Sequence, residues 1–160
     1  MTLYLVRHGE AVDESEDPAR PLNQHGQEEV AAAARLAGAL GLDVARIVHS
    51  GKLRARQTAE IWAAALQPRP PIEEYADLQP LAEPRHAAIY VHAARESLML
   101  VGHLPHLGRL LSSLVIGNPG RELIRYPTGA VVALDQADAG GWRIKWLLTP
   151  ELARAVASAT

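Results

Sequence analysis

The chain has 160 residues, of which 48% are apolar, with no phenylalanine, no cysteine and a formal net charge of −2. That length suits one domain, expected to span 1–160, with a core of Leu, Val, Ala and a few Trp. Without cysteine there are no disulfides, thiolate metal sites or thiolate nucleophiles. The charge balance sets up no overall field for nucleic acid or a membrane, so neither is expected as a partner.

An apolar strand, Leu3–Val6, comes first, with no basic leader before it. Its run of about five apolar residues is far short of the roughly 20 that span a bilayer, and a cytoplasmic protein is expected. The strand runs into Arg7-His8-Gly9-Glu10, which delivers a permanent cation and an imidazole to one point; Gly9 is read as letting a phosphate-sized group approach the backbone. Ala11 to Pro21 is polar, acidic and proline-flanked, a surface loop. Asn23 reads as the N-cap of an Ala-rich helix over Gln24 to Leu40, with Glu28 and Glu29 near its positive end and Gly41 as its stop.

Val44 to His49 predicts a second strand, and a helix follows from Ser50 or Gly51 to about Leu66, ended by Pro68 to Pro71. Ile72 to Leu78 holds a brief strand, and Pro84 to Ala94 a helix carrying His86 and His92. The continuous apolar run Leu98 to Val101 predicts a central strand buried on both faces. Pro105 suits the first turn of the next helix, which ends near Gly117-Asn118-Pro119-Gly120. Strands over Ala130 to Leu134 and Trp142 to Leu148 are joined through Ala139-Gly140-Gly141 as a hairpin, and a last helix starts after Pro150. The alternation predicts an α/β three-layer sandwich: a mostly parallel central sheet, helices on both faces, and one antiparallel strand near the edge.

Three strand-to-helix junctions carry chemistry: Arg7-His8-Gly9, the run Ser50-Gly51-Lys52-Leu53-Arg54-Ala55-Arg56-Gln57-Thr58, and Gly102-His103-Leu104-Pro105. Sheets of this class gather their sites at the carboxyl ends of their strands. Arg7 and Arg54 form a natural phosphate clamp, since each guanidinium offers a planar fork of donors and keeps its charge. A helix start at Arg54 adds free N–H groups and a favourable dipole. His8 attacks phosphorus if its other ring nitrogen is held, for which the Gly9 carbonyl would serve, and His103 donates to a phosphoryl oxygen.

Each piece also has an ordinary explanation. An isolated Arg-His pair is commonly a surface pair or a satisfied core histidine, and Lys52, Arg54 and Arg56 together resemble a solvated basic face. His103 and His106 have the spacing of a metal pair, but no carboxylate nearby in sequence completes it. His25, His49, His86 and His92 show no pattern and are read as structural or solvent-facing. Convergence of the three junctions favours the catalytic explanation.

In this order the Leu-Val-Arg-His-Gly-Glu, Ser-x-x-x-Arg-Ala-x-Gln-Thr and Gly-His-Leu-Pro runs resemble the histidine phosphatase, or phosphoglycerate mutase-like, superfamily. The short length, Arg20-Pro21-Leu22 before a helix N-cap, and Pro127-Thr128-Gly129-Ala130 further resemble its small phosphohistidine phosphatase branch. The resemblance implies transient phosphorylation of His8, a phosphate pocket of Arg7, Arg54 and His103, and hydrolysis by water without metal or cofactor. It also implies that Arg20 contacts phosphate or substrate.

Two departures bear on the substrate. Relatives acting on sugar or alcohol phosphates carry a glutamate as proton donor, whereas the matching stretch here is Asp77-Leu78-Gln79-Pro80-Leu81, and only about fifty residues separate Arg54 from His103, too few for a helical lid. A phosphohistidine-bearing protein of a histidine-relay or phosphocarrier system is therefore the expected substrate. The alternatives are a phosphatase of small esters with Asp77 or Glu83 as acid, and a non-catalytic phosphate sensor.

Overall fold

Alternation along the strands builds two cores. In the computed structural model, which describes residues 1–160, β1 (Thr2–Arg7) sends Tyr4 and Val6 into one core and Leu3 and Leu5 into the other. β4 (Leu98–Gly102) does the same with Met99 and Val101 against Leu98 and Leu100. Both strands are buried on two sides, which is why they read as unbroken apolar runs.

The other strands are β2 (Arg46–His49), β3 (Ile72–Glu74), β5 (Val131–Gln136) and β6 (Trp142–Leu148). They form one sheet in the order β3-β2-β4-β1-β5-β6. All pairs from β3 to β1 are parallel, while β5 is antiparallel to both β1 and β6. This is the mostly parallel α/β sandwich expected, with the single reversed strand beside the edge. No helix is long and apolar enough to cross a membrane.

On one face lie α1 (Gln24–Ala39), α2 (Leu53–Ala65) and α5 (Pro150–Ala159). Small residues let α1 and α2 approach closely: a Cβ at Gly38 would fall 2.3 Å from the Ala65 carbonyl oxygen. Across the sheet lie α3 (Pro84–Ala93) and α4 (His106–Ile116), with a short 3₁₀ turn at Ala76–Leu78. That turn occupies the end of the stretch read as strand; only Ile72–Glu74 pairs with β2.

Asn23 caps α1, its side chain accepting from the Gly26 N–H, and Gly41 beyond the helix adopts φ 67°. Glu28 and Glu29 are not first-turn charges. Glu29 is buried and held by Arg154 of α5 at 2.6 Å, so it fastens two helices together. α2 starts two or three residues later than expected, at Leu53, because Ser50 and Gly51 are used to turn the chain out of β2.

Candidate active site

Register brings the junctions together. Arg7 in β1 pairs with Gly102 in β4, and His49 in β2 pairs with Val101, so the three strands end at one level. Since β4 lies between β2 and β1, the residues just past these ends become neighbours. A cavity of about 390 Å³ there is lined by Arg7, His8, Arg20, Arg54 and His103, together with Glu10, Ala11, Pro80, Leu104 and Thr128.

The backbone at His8 is pinned from three sides. The His8 N–H donates to the Gly102 carbonyl, the Arg7 N–H to Ala130, and the Gly129 N–H to the carbonyls of Arg7 and His8. Gly129 adopts φ 76°, which brings its N–H to that position. On the His8 ring, Nδ1 lies 2.6 Å from the Gly9 carbonyl oxygen. A carbonyl only accepts, so Nδ1 carries the proton and Nε2 keeps its lone pair. Burial, with Arg54, Arg7 and Arg20 close by, holds the ring neutral, its pKa lowered to about 4 despite the opposing pull of the Gly9 bond.

The rings of His8 and His103 are 4.9 Å apart at 50°. Ser50 Oγ lies 2.6 Å from His103 Nε2 and leaves Nδ1 without a protein partner. Burial first, then the charges of His8, Arg54 and Lys52, lowers the His103 pKa to about 2. The arginines are also desolvated, and both have pKa values below the usual guanidinium range. Arg7 Nη1 donates to the Tyr126 carbonyl at 2.7 Å, and Nε of Arg7 and of Arg54 is buried without a partner. Arg20 is the only non-glycine residue at positive φ, 48°, and its Nε donates to the Val12 carbonyl. Backbone strain of this kind persists only where surrounding structure enforces it.

The second run contributes more than Arg54. Ser50 bonds His103, and Gln57 accepts from the Leu22 N–H, which anchors the loop carrying Arg20. The Thr58 hydroxyl donates to the Arg54 carbonyl and accepts from the Gly9 N–H, so it joins the end of β1 to the first turn of α2. In the sequence these residues belong to the motif around Arg54, where only the arginine's charge advertises a role. Thr128, in the Pro127-Thr128-Gly129-Ala130 stretch, lines the cavity, and Tyr126 has no signal in the sequence, since a lone aromatic in a loop carries no periodicity.

Two expectations are corrected. Gly9 does not line the cavity: its N–H is taken by Thr58, and a Cβ there would fall 2.8 Å from Val30 Cγ2 and 3.0 Å from the Gly26 carbonyl oxygen. The glycine allows α1 to approach, not phosphate. Asp77 and Glu83 do not line the cavity either. Asp77 lies 3.3 Å from His86, and Glu83 is exposed at the start of α3. The one carboxylate at the rim is Glu10, which accepts from Asn23 and faces His25 at 3.7 Å.

Other histidines acquire clear surroundings. His25 bridges Glu10 and Glu29, although Arg154 already holds the same Glu29 oxygen. His49 is buried and accepts from the Gly51 N–H. His106 is fully buried with neither ring nitrogen bonded, and burial lowers its pKa to about 4.

Residues 3–85 match the model of the histidine phosphatase superfamily, branch 1. The chain is 26% identical over 155 residues to phosphohistidine phosphatase SixA of Escherichia coli K12, covering 94% of each. It is 37% identical over 131 residues to an uncharacterized protein of Picosynechococcus, covering 77% of this chain and 78% of that one. Among solved structures, the protein histidine phosphatase SixA complexed with tungstate superposes with a TM-score of 0.83 at 26% identity, covering 94% of this chain and 97% of that chain. A chain from Agrobacterium tumefaciens that also bears the SixA name gives 0.76 at 27% identity, covering 93% and 97%. With a family model spanning the β1 junction, the Arg20 loop and the start of α2, this chain belongs to branch 1 of the histidine phosphatase superfamily.

Proposed function

We propose that this histidine phosphatase, acting as one domain over 1–160, hydrolyses phosphohistidine on a protein through a phosphorylated His8. The observation that carries the reading is the His8 ring itself, with Nδ1 committed to Gly9, held neutral, and set among Arg7, Arg20 and Arg54 beside His103.

The guanidiniums neutralise the phosphoryl oxygens, so no metal is needed for that role. His8 Nε2 attacks phosphorus, the bond from phosphorus to the substrate imidazole breaks, and that imidazole leaves with a proton. His103, its Nε2 engaged by Ser50, supplies Nδ1–H to the oxyanion, the tautomer that the Ser50 hydroxyl selects when it donates. Water then attacks phosphorus, the bond to His8 Nε2 breaks, and inorganic phosphate leaves.

Placement of the carboxylates supports phosphohistidine over an ester. A departing alkoxide is strongly basic, and a positioned acid typically accelerates its loss by roughly 10² to 10⁴-fold. An imidazole is a far weaker base and takes its proton readily near neutral pH. Asp77 and Glu83 stand outside the cavity, and Glu10 is engaged by Asn23. The similarity to SixA points the same way.

The test is phosphate release from a phosphohistidine-bearing phosphotransfer or phosphocarrier protein, expected from the unmodified chain and reduced to background by His8→Ala. Full activity in that variant would refute the mechanism.

A further inference from the structure

Beside the phosphate cavity, and sharing Leu104 with it, runs a groove of about 270 Å³ between the start of α4 and the segment 119–126. Its walls mix apolar surface, Leu104, Ile124 and Tyr126, with the guanidiniums of Arg109 and Arg121. Neither guanidinium has a hydrogen bond or ion pair within the protein, and Glu122 is the only acidic residue in the lining. The groove is therefore net positive.

A second neighbouring cavity has the opposite sign. It shares Glu10 and Thr128 with the phosphate cavity, and its charged lining is Glu10, Glu29 and Glu151 against Arg154. A polypeptide presenting a phosphohistidine to His8 thus meets positive potential on one flank and negative on another. Hydrophobic side chains line the positive flank alone, since the other cavity has no hydrophobic lining residue.

We propose that the groove beside α4 receives the stretch of substrate protein next to its phosphohistidine, and that it selects partners with acidic and apolar residues on that side. The proposal rests on the phosphohistidine reading and adds the chemistry of the partner. Apolar anchoring with complementary charge at the rim is the usual composition of such contacts. Gly108 supports a docking role, because a Cβ there would touch nothing but Leu104 Cδ2 at 3.7 Å. A missing side chain at this half-buried position of α4 keeps the groove open, although glycine is a poor helix former.

The experiment compares free phosphohistidine with phosphohistidine peptides bearing acidic, neutral or basic residues before or after the modified position. In the unmodified chain, one acidic placement should raise kcat/KM at least about tenfold over its basic counterpart. Gly108→Leu, which fills the groove at a helix-favourable position, and the pair Arg109→Ser with Arg121→Ser should each reduce that preference to within about twofold. Free phosphohistidine should be hydrolysed equally by all three proteins. A preference absent from the unmodified chain, one surviving both variants, or a parallel loss on free phosphohistidine would overturn the proposal. So would a change of oligomeric state in Gly108→Leu by light scattering, which would make the groove a contact between copies. Failure of the unmodified chain on every phosphohistidine substrate would instead refute the underlying function.

Discussion

Thr58 shows how one hydroxyl can set the geometry of two distant residues. Between the Gly9 N–H and the Arg54 carbonyl it joins the strand that carries His8 to the helix that carries the second arginine. Thr58→Val keeps the shape and leaves a buried N–H unpaired, which costs about 1–3 kcal/mol and is measurable by urea unfolding. Ser50→Ala acts on chemistry more than on stability: with His103 Nε2 released, the tautomer is no longer selected, and kcat should fall about tenfold or more with KM little changed. His8 also sets a pH dependence. Its pKa is lowered to about 4, so the neutral nucleophile persists well below the ordinary histidine range. Followed directly by NMR in the free protein, the His8 ring should stay neutral down to about pH 5, and a ring titrating at 6.5 would contradict the assigned state.

At the scale of elements, close approach of α1 to the end of β1 positions the catalytic turn. Gly26 stands where a Cβ would fall 2.1 Å from the Glu10 carbonyl oxygen, whereas at Gly41 nothing lies within 4 Å. Gly41 instead needs its positive φ of 67°. Gly41→Ala should therefore cost about 1 kcal/mol, from the left-handed backbone alone. Gly26→Ala should cost more, about 1–3 kcal/mol, since it wedges helix from strand, and it should also lower kcat by shifting Glu10 and its neighbours. Equal unfolding midpoints for the two variants would show that α1 is free to move.

For the whole molecule the main liability is acid. His8, His103 and His106 are buried and neutral, with pKa values lowered to about 4, 2 and 4. In the unfolded chain each titrates near 6.5, so between that pH and the lowered values the unfolded state binds more protons. Stability is complete above about pH 6.5 and declines as pH falls towards 4. His106, with no bonded nitrogen, accounts for about 3 kcal/mol of this loss on the scale of 1.36 kcal/mol per pKa unit. His106→Leu should raise Tm at pH 7, where it removes unpaired buried nitrogens, and raise it more at pH 5. A variant as acid-sensitive as its parent would show that the site hydrates on folding.

Local chemistry makes much of this protein legible in its sequence. Unbroken apolar runs marked the strands buried on both faces, Asn23 and Gly41 marked the ends of α1, and glycine-rich residues marked the β5–β6 turn, because burial, capping and positive φ act on residues near one another in the chain. The charged and imidazole side chains at the three junctions were visible for the same reason. Which neighbours each residue meets was not visible. The order β2-β4-β1 places the last junction between the other two, and only that arrangement brings Ser50 to His103 and Thr58 to Gly9. It also turns Gly9 towards α1, leaves Asp77 and Glu83 outside the cavity, and opens a basic groove along α4. Contacts between residues about fifty positions apart depend on the order of strands and the packing of helices, and no local propensity encodes either.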